Sequence, residues 1–323
     1  MTAIQRRTVE TNGIKMHLAE QGTGPLVIMC HGFPESWYSW RHQLAALADA
    51  GFHAVAPDMR GYGQTDAPAE IDRYTFFHLT GDLVGVLDAL GEASAVIVGH
   101  DWGASVAWHA ALVRPDRFRA VIALSVPFRP RSSAQPTTVM PQTDEAVFYQ
   151  LYFHEPGVAE AELGRDVRAT IRRVLFSLSG DVDGAPSLPA MVRRGGGFLD
   201  RTTDPTTLPP WLTAGDVDFY TAEFERTGFR GGLNYYRNAD RNWELRAPYA
   251  GATVTVPALY VAGDRDLVLA FPGAAETIQN LPKSVPNLRP PIILPGCGHW
   301  TQQERPREVN AAMLGFLESL GDR

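Results

Sequence analysis

Cysteine is nearly absent, with only Cys30 and Cys297 in 323 residues. Two distant thiols make no disulfide framework, so the expected setting is a reducing compartment with both thiols buried or in loops. No apolar run approaches the roughly 20 residues that a membrane-spanning helix needs. The first ten residues carry Arg6, Arg7 and Glu10 where a secretory signal would need an apolar core. A cytoplasmic protein with no stable membrane insertion is the expectation. Positive charge is scarce too: 29 lysines and arginines against 36 acidic residues leave a formal net charge of −7. That balance argues against nucleic acid as a partner, since phosphate binding needs a concentrated positive face. The pairs Arg129 with Arg131 and Arg193 with Arg194 read as solvated surface. Internal repeats and long low-complexity tracts are missing. So is any Gly-x-Ser-x-Gly segment, the usual carrier of a serine nucleophile on a strand-to-helix turn.

What remains is a composition, 45% hydrophobic and 20% charged, that suits one large α/β domain or such a domain with an insertion. Segments 7–11 and 14–19 flank Asn12-Gly13, a strong hairpin signal. Leu26–Cys30 is a continuous apolar run, as expected of a strand buried on both faces. A helix is predicted over 37–50, a buried strand over 52–56, and a Gly- and Asp-rich loop over 57–66. Phe76–Leu90 reads as a helix that stops at Gly91, a good C-terminal cap. Strand 95–99, helix 103–113 and strand 120–125 follow. This alternation predicts a mostly parallel sheet covered by helices on both faces. After Pro127 the rhythm changes. Residues 128–141 read as a linker, and 144–243 show helices and loops without a convincing buried strand. The clearest helices are 144–153, 165–179 and 213–227, the last with Thr213 and Asp216 as a capped start. Residues 195–197 and 208–210 read as loop. Strand 258–262, helix 273–280, strand Ile292–Leu294 and helix 307–320 then resume the alternation. The expected organisation is an α/β core in two parts, 1–130 and 246–323, with an all-helical cap over 131–245.

Strand 95–99 feeds directly into Gly99-His100-Asp101-Trp102-Gly103 and a helix. One residue on a sharp strand-to-helix turn, with glycines two positions before and after, is the nucleophile-elbow arrangement. The glycines are needed because side chains there would meet neighbouring backbone. Asp101 could instead be an ordinary helix N-cap; the order of the other site elements along the chain favours the nucleophile. A carboxylate is ionised at neutral pH and attacks an electrophilic sp3 carbon without a base. The resulting alkyl ester must then be hydrolysed, which needs a base and an oxyanion hole at Asp101 itself. His299, in Gly296-Cys297-Gly298-His299-Trp300, is the candidate base, because it lies in the chain order nucleophile, acid, histidine. Its orienting acid should follow strand 258–262, where Asp264 and Asp266 both lie. The oxyanion hole needs two backbone N–H groups. Trp102, after the nucleophile, supplies one. Phe33, in the His31-Gly32-Phe33-Pro34 loop after Leu26–Cys30, supplies the other, with a cis bond before Pro34 turning it inward.

Together these residues resemble the epoxide hydrolases of the α/β-hydrolase superfamily, particularly the soluble type. The resemblance rests on His31-Gly32-Phe33-Pro34-Glu35-Ser36-Trp37, Asp58-Met59-Arg60-Gly61-Tyr62-Gly63, Gly99-His100-Asp101-Trp102-Gly103 and Gly298-His299-Trp300-Thr301-Gln302-Gln303, and runs from about residue 8 to residue 320. These core motifs are shared with haloalkane dehalogenases, the alternative reading, and the cap segments decide between the two. The segment 149–157 is similar to the family segment that supplies one ring-opening tyrosine, which implies Tyr149, with Tyr152 packing. The segment 233–238 implies Tyr236 as the second tyrosine, and 264–269 implies Asp266 as the orienting acid. This chain departs from the family pattern at His154, where glutamine is usual, and at Tyr235, where tryptophan is common. A dehalogenase would need halide-binding donors. Phe33 offers no side-chain donor, and Trp102 stands where fluoroacetate dehalogenases carry arginine. The resemblance implies hydrolysis of an epoxide to a vicinal diol, with no metal or organic cofactor. The substrate is expected to be a small apolar epoxide, with water the second reactant. Phe33, Trp102, Phe153 and Trp300 are the expected pocket walls. A cap-mediated homodimer is also consistent with the resemblance.

Overall fold

The computed structural model describes residues 3–182 and 190–321. Ten strands and fourteen helices alternate much as the sequence pattern predicts. The strands of the large sheet are β1 (Gln5–Thr11), β2 (Ile14–Gln21), β3 (Leu26–Cys30), β4 (His53–Pro57), β5 (Ala95–His100), β6 (Phe118–Leu124), β9 (Ala258–Gly263) and β10 (Ile292–Leu294). Their order is β1-β2-β4-β3-β5-β6-β9-β10. Only the β1–β2 and β2–β4 pairs are antiparallel. The Asn12-Gly13 turn of the β1–β2 hairpin has φ of 44° and 76°, the left-handed pair that this tight turn requires.

β3 shows why a continuous apolar run makes a central strand. Leu26, Ile28 and Cys30 join one hydrophobic cluster, whereas Val27 and Met29 join the cluster on the opposite face. Helices α2 (Phe76–Leu90) and α3 (Trp102–Val113) cover the first face. Helices α1 (Arg41–Asp49) and α14 (Pro306–Glu318) cover the second. Helix α2 ends at Gly91 with φ 74°, as its cap residue predicts. The remaining core helices are α11 (Leu267–Ala270), α12 (Ala274–Ser284) and α13 (Thr301–Glu304).

Between β6 and β9 lie helices α4 (Pro136–Val139), α5 (Tyr149–His154), α6 (Val158–Leu163), α7 (Val167–Ser177), α8 (Ala214–Thr227), α9 (Arg230–Arg237) and α10 (Ala239–Leu245). Their apolar faces merge with the cluster on the first face of the sheet. Helix α8 begins with the predicted capping box of Thr213 and Asp216. One expectation fails: this stretch is not all-helical. Residues 144–148 do not join helix 149–153. Ala146–Phe148 (β7) instead pairs antiparallel with Met191–Arg193 (β8). Two three-residue strands of mixed burial show too little alternation for a period to be read.

The strand order places the site. After β3 the chain moves to β4 on one side, then returns past β3 to β5 on the other. The carboxyl ends of β3 and β5 therefore border a topological switch point, where open α/β sheets form a crevice. Phe33 follows β3, and Asp101 follows β5.

Candidate active site

Asp101 stands between β5 and α3 with φ 52° and ψ −119°. Its side chain makes no capping bond to α3, so it is not serving as an N-cap. The flanking glycines are sterically forced. A Cβ on Gly99 would come within 2.1 Å of the Gly103 carbonyl oxygen, and one on Gly103 within 2.0 Å of the Cys30 carbonyl oxygen. Gly32 allows the loop after β3 to close on Asp101, since a Cβ there would lie 2.3 Å from Asp101 Oδ1.

The Phe33 N–H donates to Asp101 Oδ1 at 2.9 Å, next to the cis Phe33–Pro34 bond. Trp102 is the first residue of α3, a position whose N–H has no intrahelical partner. His299 Nε2 lies 3.6 Å from Asp101 Oδ2. On its other side, His299 Nδ1 donates to Asp266 Oδ1 at 3.0 Å. The Val268 N–H donates to the same oxygen at 2.9 Å. Asp264 is the turn residue of the two acids, accepting from the Gly296 N–H at 2.7 Å. Burial lowers the basicity of His299, but the charges of Asp266 and Asp101 outweigh it and raise its pKa well above the ordinary 6.5. Asp266 is buried too, yet the imidazole beside it holds its carboxyl below the usual range.

The segments between β6 and β9 bring two tyrosines over these groups. Tyr149 opens α5 directly after β7, and its N–H donates to the Ala190 carbonyl beside β8 at 2.8 Å. The strand pair that the sequence concealed therefore positions this tyrosine. Tyr236 lies on α9, with its ring 6.0 Å from that of Tyr149 and 5.0 Å from that of Phe153. The Tyr149 hydroxyl accepts from the Gln150 amide at 3.0 Å, which leaves its proton free to donate elsewhere. Burial, with the charge of Asp101 adding to it, raises both phenol pKa values, so both stay protonated at neutral pH. Tyr235, the neighbouring residue, faces the other way. Its hydroxyl donates to the Arg60 carbonyl at 3.0 Å. Tyr152 donates to Glu162 at 2.8 Å, away from the cavity.

A cavity with about 510 Å³ of empty volume joins Asp101, His299, Tyr149 and Tyr236. Its other walls are all apolar, and Phe33 and Phe153 are among them as expected. Trp102 and Trp300 are not, which corrects two of the expected walls. The Trp102 ring packs against Tyr235 and Tyr236. Trp300 is fully buried behind His299, its ring edge-on at 4.7 Å and its indole N–H donating to the Leu175 carbonyl. A tryptophan beside a catalytic residue in sequence need not share its face. The walls that sequence reasoning missed, Val174, Leu178, Phe198, Leu267, Val268 and Phe271, come from α7 and from segments whose placement depends on tertiary packing.

A second set of buried polar groups underlies the site. Glu35 Oε2 accepts from the Gly32 N–H at 2.9 Å and lies 2.7 Å from His100 Nδ1. His100 Nε2 in turn donates to the His299 carbonyl at 2.7 Å. Both ring nitrogens of His100 face oxygen atoms, one of the Glu35 carboxyl group and one of the His299 backbone. Glu35 and His100 both stand inside motifs read from the sequence, two residues after Phe33 and one before Asp101. Among the described residues, no group of three or more His, Cys, Asp or Glu side chains is placed to hold a metal ion, and no helix is long and apolar enough to cross a membrane.

Comparison with known proteins places the chain in a family. A family model described as alpha/beta hydrolase fold matches residues 25–306. Epoxide hydrolase A of Mycobacterium tuberculosis is 48% identical, the match covering 99% of each chain. Epoxide hydrolase 3 of Siraitia grosvenorii is 46% identical over 98% of this chain and 99% of that one. Among solved structures, an epoxide hydrolase from an endophytic Streptomyces superposes with a TM-score of 0.94 at 46% identity, covering 98% of this chain and 96% of that one. Epoxide hydrolase A from Mycobacterium thermoresistibile superposes with a TM-score of 0.91 at 49% identity, covering 98% of each chain.

Proposed function

The chain belongs to the epoxide hydrolases of the α/β-hydrolase fold, and on that premise we propose that it opens a small apolar oxirane through a covalent ester on Asp101. The observation that carries this reading is the convergence of one carboxylate, one His–Asp pair and two phenols on a single apolar cavity. Asp101 Oδ2 is the attacking atom, because Oδ1 is already engaged by the Phe33 N–H. Tyr149 and Tyr236 hydrogen-bond the ring oxygen and one of them protonates it as the C–O bond breaks, sparing the formation of a free alkoxide. The product of this step is a hydroxyalkyl ester of Asp101.

Ester formation also changes His299. In the free enzyme two carboxylates hold its proton. Esterification neutralises Asp101, so His299 becomes less basic, gives up its proton to restore the tyrosinate left by ring opening and then serves as the base for water. Water then attacks Cγ of Asp101, with the developing charge on Oδ1 held by the Phe33 and Trp102 N–H groups. Collapse breaks the bond from Cγ to the alkyl oxygen, which takes the proton from His299 and leaves as the vicinal diol, and the Asp101 carboxyl proton passes to His299 to restore the starting state. Residues 131–245 act as the cap in this scheme, supplying both phenols and excluding solvent. The substrate carries no charge, because every cavity wall besides Asp101, His299, Tyr149 and Tyr236 is apolar.

A single turnover in labelled water tests the covalent route. The label should appear first in Asp101, whereas label arriving directly in the diol refutes the ester. A Tyr149→Phe, Tyr236→Phe double variant should lose ring opening by more than a thousandfold if both phenols act. Near-normal activity would remove the cap from the chemistry.

A further inference from the structure

Ser125 directly follows β6 with φ 70°, and the Val126 N–H donates to the Leu124 carbonyl at 2.8 Å. A three-residue turn with a positive central φ is the rare, strained form of the γ-turn. Among the described residues only three other than glycine have positive φ. Asn12 sits in the β1–β2 hairpin turn, Asp101 is the nucleophile, and Ser125 is the third. Strained backbone persists where its surroundings over-determine it, and it gathers at working sites. Here β9, the strand that leads into Asp266, fixes the turn from the side. The Ser125 N–H donates to the Val261 carbonyl at 2.9 Å, and the Tyr260 hydroxyl donates to the Ser125 carbonyl at 2.7 Å.

The result is a fully buried hydroxyl 3.1 Å from His299 Nδ1, the nitrogen that faces the Asp266 carboxylate at 3.0 Å. His299 Nδ1 carries one proton, and Asp266 Oδ1 accepts it. That nitrogen therefore has no lone pair to offer, and the serine proton has to go to Asp266. Asp266 needs such a donor, because its Oδ2 is buried with no hydrogen-bond partner. We infer that Ser125 is a positioning residue whose hydroxyl donates to Asp266 and holds the carboxylate and His299 in register for ester hydrolysis. The inference rests on the covalent route proposed above.

Rapid-quench single turnovers with styrene oxide as the probe, across pH, compare the wild type with Ser125→Ala and Ser125→Gly. Glycine adopts φ 70° without strain, so Ser125→Gly removes the hydroxyl and leaves the turn. In both variants ester formation should stay within about twofold of wild type and ester hydrolysis should slow about tenfold, the scale of one hydrogen bond to a charged group. The acid limb of the hydrolysis step should also shift in both. Wild-type hydrolysis with an unshifted limb in Ser125→Gly overturns the inference and leaves only a structural turn. Equal slowing of both half-reactions with a lowered Tm overturns it as well. If the wild type itself forms no ester, the covalent route falls and this inference falls with it, a result distinct from the other two.

Discussion

Glu35 and Asp266 are both buried carboxylates, and each is kept ionised by a histidine, though to different ends. Asp266 orients an imidazole that faces the cavity, whereas Glu35 pairs with His100, which faces only the backbone of His299. Burial alone would raise the Glu35 pKa. The charge of His100, its hydrogen bond and the Gly32 N–H pull the value down to about 2 from an ordinary 4.5. A depressed folded-state value contributes stability that is fully present above the unfolded value and disappears as pH falls through the folded one. The window for Glu35 thus runs from about pH 4.5 down to about 2. Its contribution is about 3 kcal/mol at one pKa unit per 1.36 kcal/mol. Urea unfolding at pH 5 and at pH 3 should show a steep loss in the wild type and a shallower one in Glu35→Gln. Parallel losses in the two proteins would place the acid sensitivity elsewhere. This pair also marks a limit of sequence reading. Glycines and chain order reveal Asp101 and His299 because a nucleophile elbow constrains its neighbours. The meeting of Glu35 with His100 is a contact across 65 positions that no local pattern signals.

Arg237 shows how the elements carrying the two phenols are kept together. Its side chain is almost fully buried beside Tyr236 at the end of α9, and it makes paired hydrogen bonds to Glu160 of α6 at 2.7 and 2.9 Å. Its Nε donates to the Phe153 carbonyl of α5 at 3.1 Å, and a further contact reaches Asn234 at 3.0 Å. One guanidinium thus ties the helix of Tyr149 to the helix of Tyr236, a fixed fork that lysine does not reproduce. Arg237→Met should leave Glu160 partly buried and unpaired, costing roughly 1–3 kcal/mol. It should also lower kcat/KM for ring opening at least tenfold, through the separation of the phenols. Unchanged kinetics with only a lower Tm would restrict Arg237 to stability. The predicted helices of this region largely stand, because the α7 and α8 patterns are amphipathic and well capped. The β7–β8 pair was hidden for the opposite reason. Strands of three residues present one or two side chains to each face, too few for alternation to emerge, although their pairing sets where Tyr149 begins its helix.

At the scale of the whole molecule, the site exists only while α9 lies closely on the core. The contact is backbone against backbone. A Cβ on Gly231 of α9 would come within 2.1 Å of the Gly61 carbonyl oxygen, and one on Gly61 within 2.8 Å of the Gly231 Cα. Tyr235 fastens the same seam by donating to the Arg60 carbonyl, while the Arg60 side chain is anchored to Asp82 by a buried pair with contacts of 2.8 and 2.5 Å. The loop after β4, helix α2 and helix α9 are therefore linked through successive residues, and Tyr236 is the next residue along the chain from Tyr235. Gly231→Ala inserts a methyl group where the obstructing atom is main chain, which no rotamer change relieves. Helix α9 has to move outward, and Tyr236 moves with it, away from Asp101. The expected outcome is a fall in kcat/KM of at least a hundredfold with a lower Tm. Asp101 should still be alkylated by a reactive epoxide too strained to need phenol assistance, because the core triad is built from β5, β9 and the loop after β10. Mass spectrometry of the intact protein, quenched in acid before the ester is hydrolysed, distinguishes the cases. A variant that takes up the label while failing on ordinary epoxides has a displaced cap over a working core, whereas normal turnover by Gly231→Ala would show that the seam tolerates separation.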